Sequence, residues 1–236
     1  MAVLAAFDAD RPALTLSQLA RRTGMPISTV HRLLGPLVDW GAVERGEDGA
    51  YRIGLRLWET GSLAPRGGGL RERALPFLED LCQVSQENAQ LAVRQGTELV
   101  FVERLAGSGA VPVLTRVGGR FALTSTGVGL VLLAHSPDDV VDEVLSTRIE
   151  AHTPCTVTDP GQLRRMLADV HTRGFAVSDR QVTDDALSVA APVLDRAGRA
   201  VAAVSLVVRY GTAAPHQLAT PVRTTARAIS RALDGP

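Results

Sequence analysis

Several things are scarce in this sequence, and each scarcity excludes a class of protein. Two cysteines in 236 residues, Cys82 and Cys155, are too few for a disulfide framework. Cys82 falls on an apolar helical pattern and reads as a small core hydrophobe, whereas Cys155 sits in the turn-like stretch His152-Thr153-Pro154-Cys155. No charged-then-apolar leader opens the chain, and no apolar run approaches the roughly 20 residues of a membrane span. A cytoplasmic protein with no membrane partner is expected. Charge of either sign is not in surplus. Twenty-five basic and twenty-five acidic residues cancel, so the whole molecule has no bulk field to draw it to nucleic acid or membrane. Lysine is missing altogether. The arginine-only basic set reads as genome composition, although arginine also suits planar recognition of carboxylate or phosphate.

Catalytic signatures are missing as well. There is no Gly-x-Ser-x-Gly elbow, no His-Glu-x-x-His and no Cys-x-x-Cys, and Gly127-x-Gly129 lacks the third glycine of a dinucleotide fingerprint. His31, His135, His152, His171 and His216 are scattered without metal-ligand spacing. No catalytic residue, metal or cofactor is therefore expected. His135 closes an apolar stretch ahead of Ser136-Pro137, where a cation would favour a helix C-terminus, so a structural role is expected for it.

What is present looks like a folded two-part chain. The composition, 45% hydrophobic and 21% charged, is that of a globular protein, and 25.0 kDa makes one large domain or two small ones. Pro65-Arg66-Gly67-Gly68-Gly69 reads as a linker or hinge, because successive glycines are costly inside a helix or strand. The expected division is a DNA-binding domain over 1–58, a linker over 59–69 and a second domain over 70–236.

Before the linker, Thr15-Leu16-Ser17-Gln18 matches a capping box, and the helix it opens ends at Gly24. A second helix begins after Pro26, with Val30, Leu33, Leu34 and Leu37 forming one apolar stripe. Ala42 to Arg45 and Tyr51 to Ile53 flank Gly46-Glu47-Asp48-Gly49 as a short hairpin. Beyond the linker, Leu75, Leu78 and Leu81 or Cys82 mark a helix. Leu91-Ala92-Val93 and Leu99 to Val102 surround a turn at Gln95-Gly96-Thr97-Glu98. Asp159-Pro160 opens a helix ending at Gly174, Val189 to Leu194 and Ala200 to Val208 form a buried hairpin, and a last helix carries Val222, Ala226, Ile229 and Leu233. This order suggests an α+β domain with an antiparallel sheet.

Two short helices joined through Thr23-Gly24-Met25-Pro26 make a helix-turn-helix candidate. The outward face of the second would carry Ser28, Thr29, His31, Arg32 and Gly35, with no acid from Ile27 to Leu37, which suits a phosphate-lined major groove. The hairpin would be a wing with Arg45 and Arg52 near flanking phosphates. The pattern alone fits a generic helical pair equally well. Residues 1–65 hold seven arginines and seven acids, but from Arg11 to Arg45 five arginines face two acids, so positive charge is concentrated there.

Over nearly its whole length, and in order, the chain resembles the IclR-type transcriptional regulators. Leu14 to Pro26, Ser28 to Leu34 and Tyr51-Arg52-Ile53-Gly54 resemble that family's winged helix-turn-helix. Phe121 to Ala134 resembles the loop and helix before its effector pocket, and Gly174 to Val177, Ala190 to Val193 and Ala202 to Ser205 resemble its pocket strands. The resemblance implies a winged helix-turn-helix domain followed by an α+β effector domain with an antiparallel sheet. It implies a regulator, repressor or activator, of double-stranded operator DNA that responds to a small metabolite, often an organic or aromatic acid. It also implies homodimers or dimers of dimers. Carried over by position, Ser28, Thr29, His31, Arg32, Arg45 and Arg52 would contact DNA. Thr124, Ser125, Thr126, Gly127, Val128 and Gly129, with Ser178, Ser188 and Ser205, would contact effector, and the hydroxyls and free amides of the first six suit an anion.

There are three departures from the family pattern. The family's first helix starts several residues before a pair like Val3-Leu4, so this chain is expected to begin inside that helix. Pro36 falls in the recognition helix, where it should cost about 3 kcal/mol or kink the last turn. Val207 stands where some members have serine, so the pocket should be less polar there. Two other readings stay open at this level, an enzyme and an interaction module that binds no DNA.

Overall fold

The structure, a computed structural model, describes residues 1–8, 10–64 and 68–234. It divides into two compact units, Met1–Gly68 and Gly69–Pro236.

The first unit is a small helical bundle with a three-stranded sheet. Its elements are α1 (Ala2–Ala5), β1 (Ala13–Leu14), α2 (Leu16–Thr23), α3 (Ile27–Trp40), β2 (Val43–Arg45), β3 (Tyr51–Ile53) and α4 (Leu55–Ser62). Val3, Leu14, Leu19, Val30, Leu34, Val43 and Tyr51 fill one core. The capping box is formed: Gln18 N donates to Thr15 Oγ1 at 3.3 Å, and Thr15 N to Gln18 Oε1 at 2.8 Å. Gly24 closes α2 at φ +68°, a conformation that costs glycine little. The hairpin gains a third strand that the sequence reading lacks, since Ala13 and Leu14 pair with Arg52 and Tyr51. Two residues are too few for any alternation to show.

Two expectations are corrected here, for Leu33 and for the boundary at 58, and Pro36 is placed within a helix. Leu33 is 40% exposed rather than part of the buried stripe, because Val30 and Leu34 already fill the space beneath α3. Pro36 does not end α3, which runs unbroken to Trp40. Arg32 and Pro36 are both exposed, so the carbonyl that Pro36 leaves unbonded lies on the side that water reaches. The expected boundary at 58 falls inside α4, so residues 59–62 of the expected linker are helical.

The second unit comprises α5 (Gly68–Ser85), β4 (Asn88–Gln95), β5 (Glu98–Ala106), β6 (Arg120–Ala122), α6 (Gly127–Ala134), α7 (Asp138–Ser146), α8 (Pro160–Arg173), β7 (Ala176–Asp179), β8 (Ala186–Leu194), β9 (Ala200–Arg209) and α9 (Pro215–Asp234). Pro65, Arg66 and Gly67 of the expected linker lie outside the described residues. Gly68 and Gly69 form the first turn of α5, at the division between the two units. The glycine penalty is smallest at a helix end, and Leu70, Ala74, Leu78 and Leu81 bury the helix behind them.

The sheet is wholly antiparallel in the order β6-β5-β4-β9-β8-β7. Strand residues alternate between its faces. Leu91, Val93, Val193, Val204 and Leu206 join α5 and α9 in one core, while Ala92, Ala190 and Ala203 join α6, α7 and α8 in another. All eight residues of α6 are buried. Its end is held by histidines, though not by charge. His135 Nδ1 bonds the Val131 carbonyl at 2.8 Å, and its ring lies 4.6 Å from that of His171, whose Nε2 bonds the Ala134 carbonyl. Burial, with the neighbouring His171, pushes the His135 pKa below its ordinary value, which disfavours a cation at this helix end.

Candidate DNA-binding surface and effector cleft

α2 and α3 meet the turn between them with different ends. The N-terminus of α2 is closed by its capping box, whereas α3 begins at Pro26, which offers no side-chain cap. Val30 N donates to the Pro26 carbonyl at 3.1 Å, leaving the amides of Ile27, Ser28 and Thr29 without an intrahelical acceptor. Such an end favours phosphate. Around it Ser28, His31 and Arg32 are exposed and Thr29 partly so, and Arg32 forms no ion pair among the described residues. The four expected base-reading residues thus share one accessible surface. Arg11, Gln18, Arg21 and Arg22 line a shallow depression on the same unit, with Arg22 bonded to Asp8.

The wing treats its two arginines differently. Arg45 stands exposed, with its guanidinium 5.7 Å from the Tyr51 ring centroid. Arg52 is engaged: Nη2 lies 2.6 Å from Asp48 Oδ2 and Nη1 lies 3.1 Å from Oδ1. That fork, with the Ala50 amide, holds the Asp48 carboxyl down to about 2, against an ordinary value near 3.8. Glu44 is the register partner of Arg52 on the neighbouring strand, and its carboxylate accepts from the Leu55 amide at 3.1 Å. Both members of the Arg52–Asp48 pair are about half exposed, so the pair is readily exchanged for another anion.

In the second unit, a cleft opens between α6, the sheet and the segment 107–119 that joins β5 to β6. The strand register sets its floor. Ser178, Ser188, Val207 and Asn88 face one another across β7, β8, β9 and β4, and Ala190, Ser205 and Gln90 form the next row. Thr126, Ser178 and Ser188 line the cleft at the start of α6. Thr126 Oγ1 accepts from Gly129 N at 3.0 Å, and the Ser178 hydroxyl donates to the Ser125 carbonyl at 2.6 Å. A Cβ on Gly127 would fall 2.7 Å from Ser188 Oγ, so glycine is what lets α6 sit down on β8. Among the described residues no charged side chain lines the cleft.

The other expected effector residues are placed elsewhere. Ser205 is fully buried under the cleft, with its hydroxyl 3.4 Å from Gln90 Oε1. Thr124 lines a different surface depression, with Phe121, Arg148 and His152. Ser125, Gly127, Val128 and Gly129 are buried, and Ser125 Oγ has no hydrogen-bond partner among the described residues. Conversely, the cleft holds residues that the sequence reading passed over, Gln90, Thr115, Leu114 and Thr183 among them. The available signal was Asn88 and Gln90, two amides two residues apart just ahead of the apolar run Leu91 to Val93.

One unit with a winged helix-turn-helix and a second with a hydroxyl-lined cleft are the parts of a DNA-binding transcriptional regulator. Residues 1–47 match the IclR helix-turn-helix domain, and residues 66–231 match the bacterial transcriptional regulator IclR C-terminal domain. The HTH-type transcriptional regulator BhcR of Paracoccus denitrificans is 35% identical, covering 82% of this chain and 70% of its own length. KipR of Bacillus subtilis is 30% identical, covering 83% and 79%. An IclR homolog from Microbacterium hydrocarbonoxydans, solved in complex with 4-hydroxybenzoate, superposes with a TM-score of 0.92 at 39% identity and covers 98% of this chain and 96% of that one. The chain belongs to the IclR family; it is a transcriptional regulator and not an enzyme. Among the described residues no helix is long and apolar enough to cross a membrane.

Proposed function

We propose that this regulator binds a two-fold operator as a dimer or dimer of dimers, and that a small aromatic or other organic acid in the cleft of the second unit changes its operator affinity. The observation that carries the ligand half is the cleft itself. It is walled by Val113, Leu114, Val182 and Val207 and floored by hydroxyls at the start of α6. Apolar walls with a few placed polar groups describe a small-molecule site. A carboxylate would be held without an arginine, by the α6 amides together with Thr126 and Ser188. The solved relative carries an acid of this class.

The DNA half assigns base contacts to Ser28, Thr29, His31 and Arg32 and phosphate contacts to Arg45 and Arg52, within residues 1–58. One such unit makes few phosphate contacts and the chain has no net charge, so two units on one duplex are needed for useful affinity. The surface of the first unit supports pairing. Leu55, Trp58 and Leu63 on and after α4 are 63%, 69% and 80% exposed, an uncovered apolar face suited to a second copy.

Effector and operator are then linked reciprocally, with a coupling of about 1–3 kcal/mol. A gel shift on the DNA upstream of the gene, with and without 4-hydroxybenzoate or a panel of small acids, tests the reading. Binding that one acid weakens or strengthens supports it, and binding indifferent to every acid that the purified protein takes up refutes it.

A further inference from the structure

We infer that Gln90 and Thr115 form a second polar pole of the cleft that selects a hydroxyl group on the effector, at the end away from the α6 N-terminus; the inference rests on the proposed effector reading. Gln90 is 2% exposed and yet lines the cleft. A buried primary amide has four hydrogen-bonding positions, two N–H and two lone pairs. Here Nε2 donates once, to Thr115 Oγ1 at 2.6 Å, and Oε1 has only the Ser205 hydroxyl at 3.4 Å, a long contact. One N–H and at least one lone pair are left over, whichever way the amide is turned. Thr115 accepts from Gln90 and keeps its own hydrogen. A group that both donates and accepts complements this pair, as a hydroxyl does. A methyl or hydrogen would leave the buried amide unpaired, at the cost that lets polar sites reject analogues lacking the group.

The register gives the spacing. Gln90 lies two strands from Ser188 and one row along. At about 4.8 Å between strands and about 3.3 Å per residue, the two Cα atoms are on the order of 12 Å apart, so the polar groups of the cleft stand at two separate ends. The segment that brings Thr115 to this point is fixed by the amide two residues before Gln90, since Asn88 Nδ2 donates to the Val111 carbonyl at 2.8 Å and Asn88 Oδ1 is held by Arg104. Thr115 is therefore placed by the fold before any ligand arrives.

The test is calorimetric titration of the full chain with 4-hydroxybenzoate and with benzoate. Wild type should prefer 4-hydroxybenzoate at least tenfold. Gln90→Met and, independently, Thr115→Val should bring the ratio to within about threefold of unity, by weakening 4-hydroxybenzoate and by lifting the penalty on benzoate. Thr115→Val lies in a surface-spanning segment and reports even if the Gln90 variant folds poorly. An unchanged ratio in Thr115→Val or in folded Gln90→Met overturns the assignment while leaving the aromatic-acid reading standing. Failure of both acids to bind wild type overturns that reading, and this assignment with it.

Discussion

Two helices of eight residues, α4 and α6, have opposite surroundings. No residue of α4 is buried, although it carries Leu55, Leu57 and Trp58. Every residue of α6 is buried. Length does not separate them; what covers them does. α6 lies on the sheet face that carries Ala92, Ala190 and Ala203, small residues that let a helix approach closely, and its first turn forms one wall of the cleft. α4 stands on the surface of the first unit with its tryptophan 69% exposed. The contrast separates a helix finished within one chain from one whose apolar face stays exposed.

Substitutions at equivalent apolar positions should sharpen that contrast. The largest effect is expected in α6. Leu133→Ala, at a fully buried site, should cost about 2–5 kcal/mol in denaturant unfolding of the second unit. Trp58→Ala in α4 should change unfolding by no more than about 0.5 kcal/mol. It should, however, shift the mass seen by light scattering toward the 25.0 kDa monomer. A Trp58 variant that stays fully assembled would break the comparison.

At the DNA surface, the difference between a free and an engaged arginine makes the next prediction. Arg32→Ala should weaken operator binding by about 1–3 kcal/mol and relax preference at one base pair. Arg52→Ala should act on all sequences alike and lower the salt slope by roughly one. Because Asp48 holds Arg52, Asp48→Ala should strengthen binding at low salt, again without regard to sequence. Weaker binding by Asp48→Ala would mean that the fork shapes the wing and does not merely compete with phosphate.

The smallest effect concerns pH. The folded-state pKa of His135 is lowered, so in the window below the ordinary histidine value of about 6.5 the unfolded chain binds the extra proton. Stability of the second unit should accordingly be complete above about 6.5 and fall as pH drops below it. His135→Asn, which keeps a donor near the Nδ1 position, should flatten that slope in chemical denaturation at pH 5 to 7. An equal slope in the variant would place the titration elsewhere.

What was legible in the sequence follows the range of the interactions. The caps at Thr15 and Gly24, the turn ahead of α3, the hairpins and the strand runs are fixed by neighbours within a few residues, and the order of elements read from them matches the fold. The antiparallel sheet followed from the alternation of strands and turns. The missing pieces are those set from far away. β1 and β6 are short strands defined by the partners they pair with, Tyr51 and Arg52 for one and Leu99 for the other. α7 had no reading at all. Gln90 and Thr115 are 25 positions apart and meet only because β4 and the 107–119 segment cross. Position-by-position resemblance put Thr126, Ser178 and Ser188 at the cleft, but it could not tell that Ser205 is covered by Gln90 or that Thr124 faces another depression.

The central claim is that occupancy of the cleft floor changes operator affinity. The direct measurement is operator affinity with and without saturating 4-hydroxybenzoate, in wild type and in Ser188→Val, which fills the cleft beside α6 and removes a hydroxyl. Wild type should shift by about 5- to 150-fold, the usual range for coupled sites. Ser188→Val should keep the ligand-free affinity and lose the shift. A variant that responds as strongly as wild type would contradict the account.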